Sequence, residues 1–155
     1  LKEEPHPLKM RFNTSEYASA AVHTVRENLN VLTAGNVWNH IAPKGEYEIK
    51  GALLLKQQVV VALHFSSDGS ILPRGLHSLS AGSRELCVEI QGRLKNIVEE
   101  LAVLEGAEFR APESCWAVPL AHRGRIVAHI KVSADGSKVL EDKRIAAESA
   151  QAVSI

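Results

Sequence analysis

Seven histidines, two cysteines and a pair of recurring glutamates are the residues in this chain that invite chemistry. His122 and His129 are the pair closest in sequence. A two-residue turn at Arg123-Gly124 would set His129 opposite Val118, four residues from His122. At a strand rise of ~3.4 Å per residue the two rings then stand roughly 13 Å apart. A zinc–nitrogen bond is only about 2.0–2.1 Å long, so these two histidines cannot share an ion. The sequence has no HExxH, CxxC or HxxxH ligand pair, no G-x-S-x-G elbow and no glycine-rich phosphate cradle. No metal site is implied, and the sequence leaves any other cofactor open.

Glu46 and Glu113 precede two similar strands and could form an acid/base pair. The simpler reading is that each binds a loop amide where its strand begins. Cys87 and Cys115 both fall on apolar faces and read as buried free thiols, a setting that disfavours thiolate. Asp68-Gly69-Ser70 and Asp135-Gly136-Ser137 begin like calcium loops but lack the later acidic ligands. They read as turns.

Composition narrows the classes further. Eighteen basic residues balance eighteen acidic ones, so the basic excess of a nucleic-acid binder is missing. The basic run Arg123, Arg125, Lys131, Lys138, Lys143 and Arg144 has no interleaved aromatics and reads as a solvated edge. No apolar stretch approaches the ~20 residues of a membrane span. The given chain contains no signal-peptide core, which points to a cytoplasmic protein. Its 155 residues suit one domain, with 45% apolar and 23% charged residues as in globular proteins.

Apolar periodicity supplies the elements that would hold these side chains. Residues 1–13 carry Pro5 and Pro7 and read as an extended lead-in to a single domain over 14–155. Ala18, Ala21, Val22, Val25, Leu29 and Leu32 recur at helical spacing after a Thr14-Ser15-Glu16 cap, with Gly35 as the stop. Residues 33–45, with Trp38 and His40, read as a long irregular loop. Strands follow at 47–55 and 58–66, with a short one at Ile71-Leu72. A second helix is expected over 81–104, a loop over 105–112, strands at 114–122, 125–132 and 138–140, and a closing helix at 142–152.

Two of these stretches match. Sliding residues 46–70 by 67 positions onto 113–137 gives seven identities in 25 positions, from Glu46/Glu113 to Ser70/Ser137. Chance would give roughly one or two. The helical stripes also superpose, with an offset of 65. The expected fold is therefore α+β: a duplicated helix–β-hairpin unit, about 14–75 and 80–140, forming one antiparallel sheet with helices on one face.

Strict alternation then divides the sheet. Cys115, Ala117, Pro119, Ala121, Ile126, Ala128, Ile130 and Val132, with Val59, Val61, Leu63 and Phe65, would lie under the helices. Trp116, Val118, Leu120, His122, Arg125, Val127, His129 and Lys131 would face outward, with Ile49, Leu53, Leu55, Val60 and His64. Such an outward face is too apolar to remain wet. The leading expectation is a non-catalytic binding or scaffold module that forms a homodimer or other homo-oligomer through this face, centred on Trp116, Val118, Leu120, Val127 and His129. The alternative is a sensor or small enzyme binding a small molecule or cofactor between that face and the 33–45 loop, using Trp38, His40, His64, His122 and His129.

Overall fold

The computed structural model describes residues 14–153, so the expected lead-in at 1–13 lies outside the described residues. The chain runs through helix α1 (Ser15–Asn28), a 3₁₀ turn (Leu29–Val31), strands β1 (Thr33–Ile41), β2 (Tyr47–Leu55) and β3 (Gln58–Phe65), helix α2 (Arg84–Glu99), strands β4 (Leu101–Val103) and β5 (Glu108–Arg110), a second 3₁₀ turn (Ala111–Glu113), strands β6 (Cys115–His122) and β7 (Arg125–Ser133), and helix α3 (Lys143–Val153). All strand pairs are antiparallel, and the α+β class stands.

Each helix starts where a side chain satisfies an otherwise unpaired amide. Thr14 Oγ1 accepts from Tyr17 N, Ser83 Oγ from Leu86 N, and Asp142 Oδ1 from Ile145 N. The stripe residues Val22, Val25, Ile90 and Leu94 enter the main core with Leu53, Phe65, Val118 and Ile130. Helix α1 packs on β6 and β7, whereas α2 packs on β1 and β2.

Several boundaries differ from the sequence expectation. Residues 33–45 are mostly strand: β1 pairs with β2 from Thr33↔Leu54 to Ile41↔Tyr47, with an irregularity between Ala34 and Val37. Gly35 lies at that irregularity rather than ending a helix; a Cβ there would meet Leu54 Cδ1 at 2.5 Å. Helix α2 ends at Glu99 because Leu101 and Val103 are buried while Ala102 is exposed, a strand period, and their backbones pair with β6. Glu108–Arg110 also pairs with β6. The short strands at 71–72 and 138–140 reduce to single bridges, Phe65↔Ile71 and Val132↔Val139.

The strands form two sheets rather than one, β1-β2-β3 and the four strands around β6. The edges of β3 and β7 approach each other, but two connecting segments take up their backbone groups. Leu72 N donates to His64 O (2.7 Å) and Arg74 N to Ile126 O (2.9 Å); Leu140 N donates to Lys131 O (2.9 Å) and Asp142 N to Val59 O (2.8 Å). Each connector therefore ties β3 to β7. The helices do not all lie on one face: α3 contacts β1 and β3 and covers a separate cluster of Trp38, Ala52 and Val59.

The division of faces also requires correction. Trp116, Val118 and Leu120, expected outside, are at most 3% exposed and belong to the main core, as do Ile49, Leu53, Leu55, Val60 and Val127. Val59, expected inside, packs in the separate cluster beneath α3. The cause is an extra residue in each hairpin. His122↔Arg125 pairs as expected, but the register shifts between Ala121↔Ile126 and Leu120↔Ala128, so Val118 faces Ile130 and His129 faces Pro119. Val127 is the extra residue there, and Val60 is its counterpart between Leu54↔Val59 and Leu53↔Val61. One inserted residue exchanges the inward and outward sets beyond it.

Turns fix the hairpin ends against the helices. Asp135 Oδ1 accepts from Ser137 N, Ser137 Oγ and Ser133 Oγ, and Thr24 of α1 donates to Gly136 O. Gly136 (φ +78°) has no room for a side chain: a Cβ would come within 2.7 Å of Ala20 Cβ and 2.9 Å of Ala21 N. Gly124 has a similar φ of +83° but open space around it. Gly124→Ala should therefore cost only the left-handed strain, about 1–2 kcal/mol. Gly136→Ala should cost clearly more, because α1 must move. Urea denaturation of both variants checks this, and equal losses would contradict the packing argument.

Candidate functional site

The register shifts leave a polar outer surface at the junction of β3 and β7. On β2 and β3 the side chains opposite the core are Lys50, Ala52 and His64. Lys50 is 3% exposed, and a buried ammonium is expensive without partners. It has two. Its Nζ lies 3.0 and 3.2 Å from the Glu148 carboxylate oxygens and 3.1 Å from Glu48 Oε1. Glu148 comes from α3 and also accepts from Trp38 Nε1 at 3.2 Å. His40 Nδ1 lies 2.8 Å from Glu48 Oε1. Burial would raise the Glu48 carboxyl, but the His40 hydrogen bond and the Lys50 ammonium outweigh it and hold the group below its ordinary value.

Beside this cluster a cleft of about 310 Å³ runs along the junction, floored by Val61, Ala62, Val127 and Ala128 and edged by His64, Arg74, His129, Asp142 and Ile145. It adjoins a second hollow of about 450 Å³ lined by Glu48, Lys50, Glu113, Lys131 and Arg144, with His64, Asp142 and Ile145 common to both. Burial and the neighbouring Lys50 charge push His64 below its ordinary value. Burial, then Arg74 and Arg110, push His129 down to about 4. Arg74 Nη1 lies 2.8 Å from His129 Nδ1. A guanidinium only donates, so Nδ1 accepts and the ring proton of neutral His129 sits on Nε2.

Of the residues singled out from sequence, His64, Val127 and His129 share this cleft, and Trp38 and His40 belong to the adjoining cluster. His122 lies elsewhere: it is 8% exposed, at the end of β6, with Nε2 2.7 Å from Oε1 of Glu100, the residue that follows α2. That bond holds the Glu100 carboxyl below its ordinary value. Trp116 lies in the core; its Nε1 donates to Ala134 O and its ring meets Phe109 edge-on at 5.0 Å. Val118 and Leu120 are wholly buried beside it. Glu46 and Glu113 form no pair with each other: Glu113 binds Lys131 at 2.6 Å, and Glu46 lies 4.0 Å from His77. Cys87 and Cys115 are free thiols, raised by burial.

Sequence reasoning missed Lys50, Glu48, Glu148 and Arg74. A lysine inside the apolar strand EYEIKGALLL is a readable signal, since it needs an acid brought from elsewhere. Arg74 left no such signal, because its connector has no periodic pattern. Among the described residues no group of three or more His, Cys, Asp or Glu side chains is arranged to hold a metal ion. No helix among them is long and apolar enough to cross a membrane. Comparison with protein-family models, curated proteins and solved structures gives no match.

Two expectations follow from the buried charges. Lys50→Met strands Glu48 and Glu148 and should cost about 3–5 kcal/mol; combining it with Glu148→Leu should cost less than the sum of the two single changes. Strict additivity in a denaturation cycle would show that the pair is not coupled. The histidines set a pH dependence. The folded state holds His64 and His129 below the ordinary histidine value of about 6.5, so the unfolded chain binds protons first. Stability should be full above about pH 6.5 and fall as the pH drops towards 4. His129→Gln should flatten part of that decline in denaturant midpoints; an unchanged slope would contradict it.

Proposed function

We propose that this chain is a non-catalytic module that binds a small molecule in the cleft between β3 and β7. The carrying observation is the cleft itself, which has an apolar floor and converging polar groups from both sheets, the usual make-up of a ligand site. The chemistry favours binding over catalysis. The carboxylates around the two hollows are engaged: Glu48 and Glu148 with Lys50, Glu113 with Lys131, and Asp142 as the cap of α3. None is left as an obvious general base.

We also infer that the chain is a fused pair of helix–hairpin units and that the cleft lies on the seam between them. In support, Val60 and Val127 are extra residues at positions 67 apart, and the seam acceptors His64 and Lys131, like Val59 and Ile126, keep the same offset. Ligand sites favour junctions of this kind. Self-association, the leading expectation from sequence, has little support from the residues first offered for it: Trp116, Val118 and Leu120 are covered by helices within one chain.

Amide chemical-shift screening of small molecules tests the binding reading. Hits should shift residues 61–64, 74–75 and 127–129 in a saturable way. An absence of hits at millimolar concentration, or shifts scattered over the exposed side of α2, would overturn it.

A further inference from the structure

Arg74 is the group around the cleft whose charge is left over. Among the described residues no carboxylate lies within ion-pairing distance of its guanidinium, and its side-chain partner is a histidine nitrogen. It is not a loose surface arm. Its amide is fixed to Ile126 O at 2.9 Å, so the connector delivers the side chain to the mouth of the cleft. By accepting from Arg74, His129 is left with an Nε2–H donor. His64 adds a further ring to the same cleft. Of the other cations nearby, Lys50 is neutralised by Glu48 and Glu148 and Lys131 by Glu113, and Arg144 lines the adjoining hollow rather than the cleft.

We propose that the cleft is selective for a small organic anion, whose carboxylate or phosphate oxygens lie against the Arg74 guanidinium and the His129 Nε2–H while its apolar part rests on Ala62 and Ile145. This rests on the cleft being the ligand site and adds the class of ligand. Charge-assisted bonds from a guanidinium fork suit such oxygens better than any neutral group. Asp142 is the one acid at the rim. It belongs to the other connector, which enters the seam at Val59 rather than Ile126, and its Oδ1 caps Ile145 N. The anionic end of the ligand therefore sits at the Arg74 end, and the rest of the ligand carries no second acid towards Asp142.

The probes are butyrate and propyl phosphate, with neutral butyramide as the comparison, titrated at pH 7.5 while the imidazole and amide resonances of His64 and His129 are followed. Both anions should give saturable shifts there, and butyramide should bind at least about tenfold more weakly. Arg74→Gln should weaken the anions by about tenfold or more, Arg74→Lys should restore part of the loss, and Lys95→Gln, on the exposed side of α2, should change nothing. Arg74 is exposed, and a thermal melt verifies that each variant is folded. Equal binding of butyramide, an Arg74→Gln variant that binds anions as well as the parent, or cleft-directed screening hits that are all neutral would overturn the anion inference and leave the cleft reading intact. If neither the anions nor any screening hit perturbs the cleft, both fail.

Discussion

One extra residue in each hairpin governs the layout of this protein. Val60 and Val127 interrupt their ladders near the turn, and everything beyond them is set by the shift. A strand has a side-chain period of two, so a slip of one residue cannot be absorbed gradually. With the bulges, Ile49, Leu53, Trp116, Val118 and Leu120 join Leu63, Phe65, Ile130 and Val132 in a single apolar layer under α1 and α2. Without them, half of those residues would face the other way. The same shift turns Lys50 to the opposite side, beside His64, so the core and the polar cleft have a common origin.

The second constraint is the meeting of two sheet edges. Unpaired strand edges are prone to unwanted pairing. Here β3 and β7 bring their edges together, and the connectors at 72–74 and 140–142 take the backbone groups that would otherwise be open. This leaves a groove on the outer side where a continuous sheet would have presented a flat surface.

The periodic parts of the fold were legible in the sequence, and the aperiodic parts were not. The stripes of α1 and α2, the hairpins, the Asp-Gly turns and the closing helix all leave a repeating or local mark. The strand at 33–41 did not, because Gly35, Asn36 and Asn39 dilute it and it pairs only on its β2 side. The bulges were hidden for a different reason. Val60 and Val127 lie within runs of valine, isoleucine and alanine, where either register buries an apolar residue, so local pattern cannot choose between them. The choice is made by long-range contacts with the helices. His64 and His129 were identified as candidate site residues on strand alternation, although their partner Arg74 lies in a connector.

Helix α3 depends on polar contacts more than α1 or α2 do. Its apolar contribution is Ile145, Ala146 and Ala152 over a small patch of Trp38, Ala52 and Val59. Small side chains remove little area from water. What remains is directional: Glu148 with Lys50 and Trp38, Ser149 with Asn36, and Asp142 N with Val59 O. Much of the seating of α3 therefore depends on the pairing of the Glu148 carboxylate with the buried Lys50 ammonium. The first turn of the same helix supplies Ile145 to the wall of the cleft, and its cap Asp142 lines it too. The buried ion pair and the cleft wall thus depend on the same helix.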